Sequence, residues 1–161
     1  MNARITNVVI AGLGGQGVIK ASDILAGVAF STGIDVKKSE IHGMSQRGGS
    51  VSSDVRFGER VFSPMVAEGE ADFLLVTAPD QIEVNRAALA PSGRLIDPSQ
   101  IDETRLTTRK NINVALLGVL SLSLPFPLEA WTEALRRNLP AAAFEASLAA
   151  FHLGRSKGQA Q

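Results

Sequence analysis

Glycines and one polar amide carry the first chemical signal in this sequence. Gly12-Leu13-Gly14-Gly15-Gln16-Gly17 directly follows a β-branched run. The spacing of Gly12, Gly14 and Gly17 lets a backbone approach a phosphate and aims N–H groups and a helix N-terminus at it. Glu40 stands 23 residues beyond Gly17, where an acidic side chain could bond a ribose hydroxyl. Three readings are open. The loop holds a nucleotide-like group, including the phosphates of coenzyme A, or it holds free NAD or FAD, or it serves only a tight turn and close helix–strand packing. Gln16 is unusual for a pure packing role, because its amide can bond a ligand or a facing loop.

A second signal is His42-Gly43-Met44-Ser45-Gln46-Arg47-Gly48-Gly49. Its glycines permit sharp backbone paths, while His42, Ser45, Gln46 and Arg47 supply donors and acceptors. Arg47 could hold a carboxylate or phosphate bidentately, with Gly48 and Gly49 bringing backbone amides to the same anion. Lys38 is the other candidate anion contact. The plainer alternatives are that Arg47 pairs with Glu40 or Asp54 and only orders the loop, and that His42 is a structural hydrogen-bonder. No nucleophile or partner carboxylate stands at a useful spacing from His42, so no catalytic residue is assigned in this chain. His42, Gln46 and Arg47 are kept for a supporting role.

The elements that must position these loops read as follows. Asn7 to Ala11 is a buried strand, and Val18 to Phe30 is a helix with Val18, Ala21, Leu25 and Val28 on one face. Ile34 to Ser39 reads as a second strand. Ser50 to Phe57 alternates, with Val51, Ser53, Val55 and Phe57 facing one way, and Gly58-Glu59 suggests a hairpin into Arg60 to Phe62. Asp72 to Thr77 is a buried strand, Pro79 opens a helix to Leu89, and Arg94 to Ile96 is a short strand stopped by Asp97-Pro98. Asn111 to Leu122 is a buried helix. Pro127 starts another, with Leu128, Trp131, Leu135 and Leu139 on one face. The last groups Phe144, Leu148 and Phe151 and ends at Gly154 as a C-cap. The expected fold is α/β: a single Rossmann-like three-layer domain over residues 1–154, with a mostly parallel sheet and an antiparallel hairpin. Residues 155–161 read as a flexible tail.

Other residues carry blander expectations. Asp72 and Asp80 flank a strand end where α/β folds place ligand contacts, but capping by Asp80 or a solvated turn is the simpler role. Trp131 belongs to core or subunit interface, and His152 faces a helix C-terminus. The two histidines lie 110 residues apart without neighbouring carboxylates at ligand spacing, so no metal site is expected.

Composition narrows the function classes. Sixteen basic residues balance sixteen acidic ones in 161, which argues against nucleic acid or acidic membrane as partner. Cysteine is absent, which excludes a thiol nucleophile and cysteine-ligated iron–sulfur clusters from this chain and fits a cytoplasmic protein. The amino terminus reads as a strand feeding a glycine loop and not as a signal peptide, and no apolar run is long enough to span a bilayer.

Together, GLGGQG after the first strand and SEIHGMSQRGGSVSSDVRFG resemble the gamma-type domain of the 2-oxoacid:acceptor (ferredoxin) oxidoreductase family. The His42 to Gly49 wording resembles, more narrowly, its indolepyruvate branch in the beta subunit. Asn113 to Leu120 (NVALLGVL) is similar to the family's Asn-x-x-x-Leu-Gly helix, and the resemblance covers roughly the first 125 residues. It implies a small subunit that carries no cofactor of its own. Thiamine diphosphate, magnesium and iron–sulfur clusters would sit in a large catalytic partner, with coenzyme A as co-substrate and ferredoxin as acceptor reached through the complex. The reaction would be oxidative decarboxylation of an aryl pyruvate to acyl-CoA. This chain would shape the edge of the active site and the subunit seam through Gly12 to Gly17 and His42 to Gly49. The alternative is a free-standing module that binds NAD, FAD or coenzyme A without catalysis of its own. Between Asp97-Pro98 and the Asn-x-x-x-Leu-Gly helix the family carries a longer segment than Ser99 to Asn111 provides here.

Overall fold

A computed structural model describes residues 4–43 and 48–159. The first strand, β1 (Thr6–Leu13), runs into the glycine turn and helix α1 (Val18–Ser31). There follow β2 (Asp35–His42), β3 (Ser50–Gly58), β4 (Ala71–Val76), the short α2 (Ile82–Asn85), β5 (Leu89–Ile96), α3 (Ile112–Ser121), α4 (Leu128–Asn138) and α5 (Ala141–Gln159). The five strands form one sheet in the order β2-β3-β1-β4-β5.

The α/β class holds, and the sheet is evenly mixed. β1 pairs parallel with β4, and β4 with β5, whereas β3 runs antiparallel to both β1 and β2. The antiparallel hairpin is β2–β3, closed across residues 43–49, with Asp35 opposite Gly58 and His42 opposite Val51. The expected hairpin into Arg60 to Phe62 is not formed. Both edges of β3 are already taken by β2 and β1, so a strand after Gly58 has nothing to pair with. The segment instead crosses the sheet face, where the Asp54 carboxylate accepts from the Val66 N–H at 2.9 Å and the Ser63 carbonyl accepts from Arg56 at 2.7 Å.

Helices α1, α3, α4 and α5 lie on one face over Val8, Ile10, Val55, Phe57 and Leu75. α3 is buried along its whole length, so it shows no amphipathic stripe. Trp131 is fully buried between Phe126 and Phe151, with ring centroids 6.4 and 5.5 Å away. Leu128 of the same helix is instead exposed. The opposite face is a thinner layer, where Val9, Ala11, Leu74 and Val76 are covered by Val66, Ile82 and Ala88. The helix expected from Pro79 to Leu89 is broken here into 3₁₀ turns around α2, because Leu89 already enters β5.

Gly154 does not cap α5, which continues to Gln159, and Arg155 donates to the Ser121 hydroxyl at 2.8 Å instead of fraying. Gly154 and Gly118 mark the crossing of α5 with α3. A Cβ on Gly154 would stand 1.8 Å from the Ala115 carbonyl oxygen, and one on Gly118 would stand 2.1 Å from that of Phe151. The two backbones therefore touch without side chains between them.

Asp54 is almost fully buried. Burial pushes its carboxyl above the ordinary range, against the opposing pull of the Val66 N–H and the Arg56 charge. A carboxyl that holds its proton more tightly folded than unfolded loses stability as pH rises from the unfolded value through the folded one. Asp54→Asn keeps an acceptor for Val66. The variant is expected to gain stability on the wild type as pH climbs above about 4, with the gain flat at neutral pH. Thermal melts of both proteins between acid and neutral pH read this directly, and a constant difference would refute it.

Candidate functional site

The C-terminal end of β1 turns sharply at the glycine cluster. A Cβ on Gly12 would stand 1.9 Å from the Thr77 hydroxyl, so β1 and the end of β4 can close only over glycine. Gln16 then staples the turn. Its Oε1 accepts from the Leu13 N–H at 2.8 Å and from the Thr77 hydroxyl at 2.9 Å. The sequence leads this amide to be expected on a ligand or a facing loop; its Oε1 is instead held by the turn itself and by Thr77 just past the end of β4. Gly17 takes a left-handed conformation with φ 74° as the residue before α1. Its carbonyl accepts twice, from the Ala21 N–H at 2.9 Å and from Asn113 Nδ2 at 3.0 Å.

The first intrahelical bond is thus made by Ala21, which leaves the N–H groups of the first turn of α1 without a helical partner. Val18, Ile19 and Lys20 line an open pocket of about 280 Å³ together with Gly14, Gly15 and His42. Two expected features meet here, at the described end of the second loop. The Gly14 N–H donates to the Gly49 carbonyl at 2.8 Å, and Gly48, with φ 66°, lies against Gly14. Ser45, Gln46 and Arg47 lie outside the described residues.

A line of charge runs along β2 towards the pocket. Lys38 Nζ lies 2.7 Å from Asp23 of α1 and 2.5 Å from Glu40, whose other oxygen is 3.9 Å from His42 Nε2. Burial works against the Lys38 charge, but the bonds to Asp23 and Glu40 outweigh it and hold the ammonium above its ordinary pKa. Lys38 and Glu40 therefore satisfy one another, and a phosphate at Lys38 or a ribose at Glu40 would compete with these pairs. Lys20 is the Lys or Arg side chain that lines the pocket among the described residues.

The remaining candidates separate cleanly. Asp72 stands at the start of β4, away from the pocket, where it holds Arg4 and the Asn7 N–H. Asp80 sits in the first turn of the 3₁₀ segment after β4, Trp131 is core, and His152 packs edge-on against Phe151 within α5. Among the described residues no group of three or more acidic, histidine or cysteine side chains is placed to hold a metal ion, and no helix is long and apolar enough to cross a membrane.

Thr77 and Asn113 are the site residues that the sequence reading passed over as contacts. Each carries a signal in hindsight. Thr77 is the first hydroxyl after the apolar run of β4, and Asn113 is the one amide within α3, 5% exposed. A buried amide at that place requires a partner.

The fold and the paired loops define a Rossmann-like domain whose glycine turn and helix N-terminus face a shared pocket. The chain belongs to the pyruvate ferredoxin/flavodoxin oxidoreductase family, whose model matches residues 7–102. It is 33% identical to indolepyruvate oxidoreductase subunit IorB of Thermococcus kodakarensis, an alignment covering 92% of this chain and 93% of that protein. It is 30% identical to the subunit of the same name from Methanothermobacter thermautotrophicus, covering 92% and 95%. The latter alignment spans 187 residues against 161 in this chain, so the relative carries residues that are missing here.

Among solved structures, the gamma subunit of a keto/oxoacid ferredoxin oxidoreductase from Geobacter sulfurreducens superposes with a TM-score of 0.73 at 24% identity, covering 97% of this chain and 99% of that one. A 2-oxoglutarate:ferredoxin oxidoreductase from Magnetococcus marinus, solved with 2-oxoglutarate, coenzyme A and succinyl-CoA, superposes with a TM-score of 0.86 at 16% identity. This chain spans 32% of that longer chain, so the same fold occurs there as one part of a larger polypeptide.

Proposed function

We propose that this chain is the small subunit of a 2-oxoacid:ferredoxin oxidoreductase, acting on indolepyruvate or a related aryl pyruvate. The observation that carries the reading is the near end-to-end match to indolepyruvate oxidoreductase subunits, at 30–33% identity over 92% of the chain. The overall reaction converts a 2-oxoacid, coenzyme A and oxidised ferredoxin into acyl-CoA, carbon dioxide and reduced ferredoxin.

The chemistry belongs to a large partner. A chain without cysteine cannot ligate iron–sulfur clusters through thiolates, and its described residues offer no metal-binding group. On this reading thiamine diphosphate with its magnesium, and the clusters, are held by the partner. What the chain supplies is a rigid edge. Val18, Ile19 and Lys20 at the first turn of α1 line one pocket with His42, and the free N–H groups of a helix start suit the phosphates of coenzyme A. The loop at residues 42–49, with Ser45, Gln46 and Arg47, is assigned to the same edge and to the seam with the partner. A cytoplasmic location follows from that assignment.

The test is an activity assay on the assembled complex, measuring coenzyme A-dependent dye reduction with aryl pyruvates and with pyruvate or 2-oxoglutarate. Preference for aryl pyruvates supports the assignment. Turnover only with the aliphatic acids moves the chain to a sibling enzyme. Saturable NADH binding by the isolated chain would favour the free-standing nucleotide module instead.

A further inference from the structure

Asn113 bridges the glycine turn and its own helix through the two ends of its amide. Its Nδ2 donates to the Gly17 carbonyl at 3.0 Å, and its Oδ1 accepts from the Val114 N–H at 2.9 Å, which fixes the orientation of the amide. A Cβ on Gly17 would stand only 2.3 Å from that Nδ2, so the contact needs glycine at position 17. Asn113 cannot retreat, because α3 is buried throughout and is pressed onto α5 at the side-chain-free crossing of Gly118 with Gly154. The Gly17 carbonyl lies at the hinge between the turn and α1, and the N–H groups of Val18, Ile19 and Lys20 come immediately after it.

We propose that Asn113 is the positioning residue of the glycine loop: by holding the Gly17 carbonyl in the left-handed bend, it fixes the direction in which the first-turn N–H groups of α1 face the pocket. Helix α5, through the glycine crossing, is the abutment that keeps Asn113 in place. The inference rests on the reading of that pocket as a coenzyme A phosphate site only for its functional consequence. The latch itself stands on geometry.

Asn113→Asp gives the discriminating variant. It keeps the size of the side chain and the acceptor for Val114, but sets a carboxylate oxygen against the Gly17 carbonyl. Only when protonated can that oxygen donate, and burial against a carbonyl raises its pKa above the ordinary carboxylate value. The variant should therefore behave as wild type in acid and as Asn113→Ala near neutrality. The other charged or titratable side chains on the surrounding elements are Lys20 of α1, Asp72 of β4, Arg109 and Lys110 in the turn before α3, Glu145, His152, Arg155 and Lys157 of α5, and His42 across the pocket. All are the same in wild type and both variants, so wild-type protein is the control for their contributions.

The experiment follows the backbone amide resonances of residues 14–20 in the full chain, and coenzyme A affinity in the same samples, between about pH 5 and pH 8 for wild type, Asn113→Ala and Asn113→Asp. The expected result is that Asn113→Ala shifts those resonances and weakens coenzyme A roughly three- to tenfold at every pH, while Asn113→Asp converts from the wild-type to the alanine pattern as pH rises. Variants with lowered melting temperature but wild-type resonances and affinity would reduce Asn113 to a structural residue and overturn the proposal. So would shifted resonances in Asn113→Ala with affinity unchanged. Should wild-type protein not bind coenzyme A, the pocket reading falls, and the pH-dependent resonances alone then decide for or against the latch.

Discussion

Gly154→Ala is expected to destabilise the fold by about 2–4 kcal/mol, although alanine is the better helix former. In an exposed helix the substitution would gain about 1 kcal/mol. Here the new methyl group would stand 1.8 Å from the Ala115 carbonyl oxygen, which belongs to backbone and cannot rotate away. Helices α3 and α5 would have to separate, and both bury core residues, among them Leu116, Leu120 and Phe151. A net loss of this size corresponds to a melting temperature lowered by roughly 6–12 °C for a chain of this length. Thermal unfolding followed by circular dichroism measures it, and an unchanged or raised midpoint would show that the crossing is looser than described.

Gly17→Ala is expected to strike function hard. Its φ of 74° lies in the left-handed region, which costs an ordinary residue about 1–2 kcal/mol. The added Cβ also displaces Asn113, and with it the start of α1. Misplacing a positioning element by about 1 Å can cost on the order of 100-fold in rate, and that is the loss expected in coenzyme A-dependent turnover of the assembled complex. Gly15→Ala is the matched control. It carries comparable strain at φ 86°, but a Cβ there meets nothing within 4 Å. Equal losses from the two variants would mean that backbone strain, and not the Asn113 contact, governs the loop.

The central βα unit was legible because its signals are local. A β-branched run, a glycine turn and a stripe at helical spacing occupy consecutive residues, and β1 and α1 fall within two residues of the expected bounds. Pairing was less legible, since it depends on which sheet edges are free. Gly58-Glu59 has the composition of a hairpin turn, but β3 had no edge left to offer. Gly154 shows a second kind of ambiguity. Glycine late in an apolar helical pattern marks a helix end as readily as it marks a backbone crossing, and only the position of α3 decides between them.

The candidate site divides along the same line. Both glycine loops are visible as motifs in sequence, whereas Lys38 looked free because its partner Asp23 comes from a different element, α1, 15 residues earlier in the chain. Asn113 acts over 96 positions in the chain, a distance at which nothing in Gly12 to Gly17 points to it.

The most direct test of the subunit assignment is co-purification of the tagged chain from its native host, with the recovered partner assayed for thiamine diphosphate, iron–sulfur clusters and coenzyme A-dependent oxidation of aryl pyruvates. The account predicts a large cofactor-bearing partner and activity that is lost when this chain is removed. Recovery of the chain alone, or of a complex whose activity survives without it, would contradict the account.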